Sequence, residues 1–127
     1  ATLTPADIRY INLHGTATVQ NDAMESKAVK ALFGESVPCS SSKAQIGHTL
    51  GAAGAIETGF CWLALTASDG DMRLPPHIWD GVADPDLLSA CLAGSDDRLP
   101  AIGPAWCMSN SYAFGGSNAS VIVGRVT

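Results

Sequence analysis

Along the chain the readable elements run strand, helix, strand, helix, strand, strand, and this order predicts an α/β fold built on a sheet of mixed strand direction. Two further observations support it. One long apolar stretch fits a central buried helix, and the two closing strand-like runs are joined by a glycine-containing connection. The chain has 127 residues and 13.1 kDa, which is one domain at most. Hydrophobic residues make up 46% and charged residues 15%, so the chain can fill a core and is not of the disordered class.

Taken in order, Ile8 to Leu13 (IRYINL) reads as a buried strand that ends at His14-Gly15. The polar loop TATVQN follows. Asn21 or Asp22 is placed to cap a helix through Phe33, with Glu25 at capping-box spacing and Gly34 as its stop. Met24, Ala28, Ala31 and Leu32 form its expected apolar face. Val37 to Ser40 reads as a second short strand, after which Ser41, Ser42 and Lys43 leave the sheet. His48 or Thr49 opens the longest apolar stretch, which ends near Asp69-Gly70. Glu57 at its centre and the small residues from Gly51 to Ala55 favour a buried helix over a membrane span. Residues 70 to 100, with Pro75-Pro76 and Asp84-Pro85, predict an extended segment and a loop. Ala105 to Asn110 and Asn118 to Val126 then read as a hairpin across SYAFGGS.

Charge narrows the function. Lys+Arg 7 against Asp+Glu 12 gives −5 and a pI near 4.8, with no basic face for nucleic acid and no polybasic patch for a membrane. Cys39, Cys61, Cys91 and Cys107 form no C-x-x-C and no zinc-finger spacing, and with no basic n-region before an apolar h-region at its start the chain is not expected to carry a signal peptide. The expectation is a reduced, cytoplasmic protein.

Chemistry concentrates in three places. His14 (in LHGTAT) and His48 (in KAQIGHTLGAAGA) both touch glycine just after a strand, where α/β sheets place ligands. At a helix N-terminus the dipole keeps an imidazole neutral, so His48 is expected there as a hydrogen-bond donor to a developing oxyanion. Lys43 is the isolated cation of the loop, and Glu57 is the acid of the helix that follows. A buried carboxylate needs a partner, which makes the two a candidate pair. In SNSYAFGGSNAS, Gly115-Gly116 is either a plain hairpin turn or a nest of N–H groups for an anion.

HGTAT, SSKAQIGHTLGAAGA and SNSYAFGGSNAS, in that order, resemble the C-terminal half of a β-ketoacyl-ACP synthase, the decarboxylating condensing enzyme of fatty acid and polyketide synthesis. The resemblance runs from about Pro5 to Val126. It implies a thiolase-like half-domain, with a mixed five-stranded sheet packed with helices, and a C-terminal domain over residues 1–127 whose N-terminal half with the nucleophilic Cys is absent. It implies that His14 and His48 donate to the malonyl thioester oxygen and that Lys43 orders the site with Glu57. Thr16 and Thr18 are implied to bind pantetheine, Phe114 to gate the acyl chain, and Phe114 with Gly115 to help form the oxyanion hole. It implies no metal and no cofactor beyond the phosphopantetheine of the carrier protein. The implied partners are an acyl carrier protein, the chain's own N-terminal half and a second copy in a homodimer. Ala17 and Ala113 stand where the family commonly has Gly, and Ala17 fits if its φ is negative. None of the four cysteines stands in the acyl acceptor's place, so the chain alone is expected to be inactive. The alternative is a non-catalytic half-domain of the chain-length-factor kind.

Overall fold

The computed structural model describes residues 2–67, 70–89 and 91–126. Its elements are β1 (Ile8–Asn12), α1 (Val19–Phe33), β2 (Cys39–Ser40), α2 (Lys43–Ile46), α3 (Ala53–Thr66), β3 (Asp71–Arg73), β4 (Arg98–Pro100), β5 (Ala105–Phe114) and β6 (Ser117–Arg125). Short 3-10 turns at Pro5–Asp7 and Leu50–Ala52 precede β1 and α3.

The main sheet has the order β2-β1-β5-β6, with β1 parallel to β2 and β5, and β6 antiparallel to β5. It is mixed, as expected. Among the described residues it has four strands rather than five. The fifth position is held by the single parallel bridge Cys39↔Leu92, flanked by hydrogen bonds from Cys39 N to Cys91 O (2.8 Å) and from Ala93 N to Cys39 O (2.9 Å). Strands β3 and β4 pair separately.

Alternation along β1 sends its side chains to two cores. Ile11 and Leu13 meet Val29 of α1, Val37, Leu88 and Met108, while Tyr10 meets Cys61 and Leu65 of α3, Met72 and Cys107. Ile8 joins the Ile11 side because the β1–β5 register shifts between Ile8 and Tyr10. The sheet thus has α1 on one face and α3 on the other.

Several boundaries differ from expectation. Helix α1 starts at Val19 after Thr18, because Asp22 accepts from the Thr16 and Ala17 amides instead of capping. Its buried residues are Glu25, Ser26 and Val29, so the inward stripe is mostly polar, and the expected face residues Met24 and Leu32 are 42% and 64% exposed. Helix α3 starts five residues after His48 and ends at Thr66; of the expected end near Asp69-Gly70, Asp69 lies outside the described residues. The hairpin strands extend to Phe114 and from Ser117, leaving only Gly115-Gly116 as the turn, with φ of 58° and 90°. Two positive φ values in a two-residue loop match the right-handed twist of the flanking strands, as a tight hairpin turn requires. At Gly124 an added Cβ would lie 2.3 Å from Trp106 Cδ1, so glycine lets the indole cross β6. No helix of the described residues is long and apolar enough to cross a membrane.

Candidate active site

Because β1, β2 and β5 run parallel, their carboxyl ends lie on one edge of the sheet, and the loops leaving them carry His14, Lys43 with His48, and Phe114. The rings of His14, His48 and Phe114 form a triangle. Centroids are 5.8 Å apart for the two histidines, 5.7 Å for His14 and Phe114, and 5.9 Å for His48 and Phe114, all edge-on. Tyr112 stands 6.0 Å from His14.

His14 is buried, and its Nδ1 has no hydrogen-bond partner among the described residues. Burial first, then the charges of Lys43 and His48, pull its pKa down to about 4, so the imidazole is neutral near pH 7. The backbone beneath it is fixed by Glu25, whose carboxylate accepts from His14 N and Gly15 N, each at 2.9 Å, and from Asn110 Nδ2 at 3.2 Å. Glu25 therefore ties the β1 loop to α1 and β5 rather than closing a capping box. Its own pKa is raised by burial, against which those three donors act. Gly15 has φ +42°, and a Cβ there would lie 2.5 Å from Ser41 Cβ, while Ser41 Oγ donates to Gly15 O at 2.8 Å. The β1 and β2 loops thus touch through a position that admits no side chain.

Lys43 opens α2, and its Nζ donates to Glu57 Oε1 in an ion pair whose side chains are only 7% and 1% exposed. The expected pair is formed. Glu57 Oε2 is buried without a partner among the described residues. His48 is exposed and is not at the N-terminus of α3, because the Leu50–Ala52 turn intervenes. A local bond replaces the expected dipole effect: Leu50 N donates to His48 Nδ1 at 3.2 Å. An accepting Nδ1 carries no proton, so neutral His48 bears its N–H on Nε2 and is a donor there. Leu50 adopts φ +52° in making that turn.

Thr16 and Thr18 bond each other through their hydroxyls at 3.0 Å, and Asn21 Nδ2 donates to Thr16 at 3.3 Å. Beside them opens a cavity of about 420 Å³ lined by Thr16, Lys43, His48, His77, Trp79 and Leu92. Thr18, Phe114 and Gly115 are not part of its lining; Phe114 stands in the ring triangle and Gly115 in the turn after it.

Sequence reasoning passed over His77. The extended strap before it is pinned by Ser40 Oγ to Pro75 O (2.6 Å), Gln45 Nε2 to Pro76 O (3.0 Å) and His77 N to Ala93 O (2.8 Å). Ser41 N donates to His77 Nδ1 at 3.1 Å, and burial lowers the pKa of the ring, so it too is an Nε2–H donor when neutral. The prolines before His77 were its one sequence signal. Among the described residues no group of three or more His, Cys, Asp and Glu is arranged to hold a metal ion.

Residues 1–76 match the family model described as Beta-ketoacyl synthase, C-terminal domain. The chain belongs to that family.

As a β-ketoacyl synthase C-terminal domain it is 40% identical to the 3-oxoacyl-(acyl-carrier-protein) synthase 2 of Rhizobium meliloti (strain 1021), over 100% of this chain and 29% of that protein. It is 36% identical to the Staphylococcus aureus protein of the same description, over 96% of this chain and 29% of the relative. Among solved structures it is similar to a ketosynthase in complex with its chain length factor from Xenorhabdus doucetiae, with 45% identity, TM-score 0.73, and 100% and 30% of the two chains covered. The ishigamide ketosynthase/chain length factor gives 30% identity and TM-score 0.81, covering 98% of this chain and 30% of the other. The expected thiolase-like, mixed α/β half-domain is borne out, and the chain spans under a third of the length of these relatives.

Proposed function

We propose that this chain carries the decarboxylation half of a 3-oxoacyl-acyl-carrier-protein synthase site, acting on a malonyl thioester borne on the phosphopantetheine of an acyl carrier protein. The observation that carries the reading is the triangle of His14, His48 and Phe114 beside the buried Lys43–Glu57 pair, on the carboxyl edge of the sheet.

In this reading the thioester oxygen accepts hydrogen bonds from the Nε2–H of His48 and from His14. As the bond to the departing carboxylate breaks and CO2 leaves, charge builds on that oxygen, and the two imidazole N–H donors stabilise it without a proton changing hands. Lys43 serves electrostatically: held by Glu57, its charge helps keep His14 neutral and therefore unable to protonate the carbanion. Phe114 stands edge-on to both histidines, and in the complete site its ring would help shield the carbanion from water until it attacks an acyl thioester. The acyl group sits on a cysteine outside this chain. Cys39, Cys61 and Cys107 are buried, and Cys91 lies beside Cys39 away from the ring triangle. Thr16 and Thr18 bind the pantetheine arm.

The complete site needs the protein's N-terminal half, and the enzyme is a homodimer in a cytoplasmic pathway. With a net charge of −5, this half does not supply the basic patch for an acidic carrier protein. The second reading, a non-catalytic subunit, draws on the neighbours whose descriptions include a chain length factor. Retention of both histidines and Lys43 favours the synthase.

The test is His48→Ala in the full-length protein. Malonyl decarboxylation should be lost while acyl transfer to the cysteine survives. Loss of both activities would overturn the role of His48, and absence of both from the unaltered protein would favour the non-catalytic subunit.

A further inference from the structure

Cys39 and Cys91 are 52 residues apart in the chain, yet their sulfurs lie 3.5 Å from each other. The backbone holds them there: Cys39 N donates to Cys91 O and Ala93 N to Cys39 O, on the far side of β2 from β1. The two thiols differ in access, since Cys39 is fully buried and Cys91 partly exposed. They also differ in acidity. Cys91 is lowered to about 7, chiefly because the Cys39 thiol donates to it, and Cys39 is raised in consequence of the same bond and of burial. Cys61 and Cys107, by contrast, are fully buried and pushed up to about 12 by burial, which makes them inert.

We propose that Cys39 and Cys91 are an oxidative modification site that takes hydrogen peroxide and closes to a disulfide. The Cys91 thiolate attacks one peroxide oxygen, the O–O bond breaks, and a sulfenic acid forms while the leaving hydroxide takes from solvent the proton that Cys91 gave up, making one water. The Cys39 sulfur then attacks the sulfenyl sulfur, the S–O bond breaks, and the Cys39 proton leaves with the hydroxide as a second water. Two thiols lose two electrons and one peroxide gains them, so the step balances. Joining the thiols requires their sulfurs to approach by about 1.5 Å, since a disulfide spans about 2 Å.

The bond acts on the cavity. Leu87, Leu88 and Leu92 form part of its wall; besides the two backbone bonds of Cys39, the wall is held by Leu88 N to Ser26 Oγ (3.2 Å), by Lys30 Nζ to Leu87 O (3.5 Å) and by the packing of Leu88 in the Ile11 core. Oxidation adds a covalent tie between the leucine wall and β2 to the hydrogen bonds already there, and reduction removes that tie.

The experiment uses the unaltered protein and does not depend on its activity. After brief treatment with hydrogen peroxide, the protein is unfolded, its free thiols are blocked with a maleimide, and it is digested for mass spectrometry. Blocked cysteines in this chain should fall from four to two. A peptide joining Cys39 to Cys91, two hydrogens lighter than its parts and split by dithiothreitol, should appear. Amide exchange at Leu87 and Leu88 should slow in the oxidised form. All four cysteines still blocked, Cys91 driven to sulfinic acid with Cys39 free, or linkage between molecules would each overturn the proposal; a joined peptide with unchanged exchange would overturn the clamp. Cys39→Ser should leave Cys91 as a sulfenic acid that dimedone captures, and if that variant fails to fold the unaltered protein still decides.

Discussion

Three residues other than glycine carry positive φ among the described residues: Ala17 (58°), Leu50 (52°) and Ala113 (61°). They fall one in each of the three segments that build the candidate site: the loop after β1, the turn before α3 and the irregular end of β5. Ala17 follows the His14-Gly15 loop, Leu50 turns its N–H back to His48, and Ala113 precedes Phe114, its own N–H held by Asn118 Oδ1 at 3.0 Å. Left-handed backbone costs an L-residue roughly 1–2 kcal/mol, and such strain gathers where a site imposes geometry. The condition under which Ala17 was expected to fit, a negative φ, is not met. Both alanines are exposed, so a glycine in either place gives up little packing. Ala17→Gly and Ala113→Gly should each stabilise the protein by about 1 kcal/mol, after the larger unfolded-state entropy of glycine is set against the relieved strain. Denaturant midpoints check this, and a lower midpoint would show that the alanines are not strained.

At the scale of elements, the Lys43–Glu57 pair joins α2 to α3 and holds the His48 turn between them. Both side chains are out of water, so removing one partner strands a charge. Lys43→Met should cost about 3–5 kcal/mol, while Lys43→Met combined with Glu57→Leu should recover most of it without restoring decarboxylation. Thermal unfolding of the two variants separates the roles; equal losses in both would make the pair a packing feature and not an electrostatic one. This pair was legible in the sequence because an isolated cation and an isolated acid stood in an otherwise uncharged stretch. His14 and His48 were legible through the glycines beside them. Glu25 was misread, because capping-box spacing is a local pattern and its real partners, His14 N and Asn110, come from β1 and β5. The face of α1 was misread for a related reason. Its inward positions serve the site and are polar, so hydrophobic periodicity points the wrong way.

The whole molecule leaves much apolar surface in water. Strand β6 ends the sheet with nearly every residue exposed, including Val121 and Ile122, and α3 exposes Trp62 and Leu63, each at 57%. A long free edge with apolar side chains is a template for pairing. The isolated chain should therefore associate as its concentration rises, as sedimentation velocity would record, and Ile122→Lys should shift it toward monomer. A monomer at every concentration would contradict this. The mixed direction of the sheet and its closing hairpin were readable at this scale, but the spatial order of the strands and the exposed edge were not. Alternation in a strand reports which side chains differ, and says nothing of whether either face finds a neighbour.

The close approach of Gly15 to Ser41 has a consequence for how such a protein can change over generations. Every single-nucleotide change that replaces the glycine with another amino acid adds a side chain at a point 2.5 Å from Ser41 Cβ. Trimming Ser41 to glycine would clear the space, yet it would leave the new residue at φ +42° and remove the hydroxyl that holds Gly15 O. No single step, and no simple pair of steps, leads away from this arrangement. The two positions behave as one inherited character, and the loops that bear His14 and Lys43 are bound to vary together or to stay as they are.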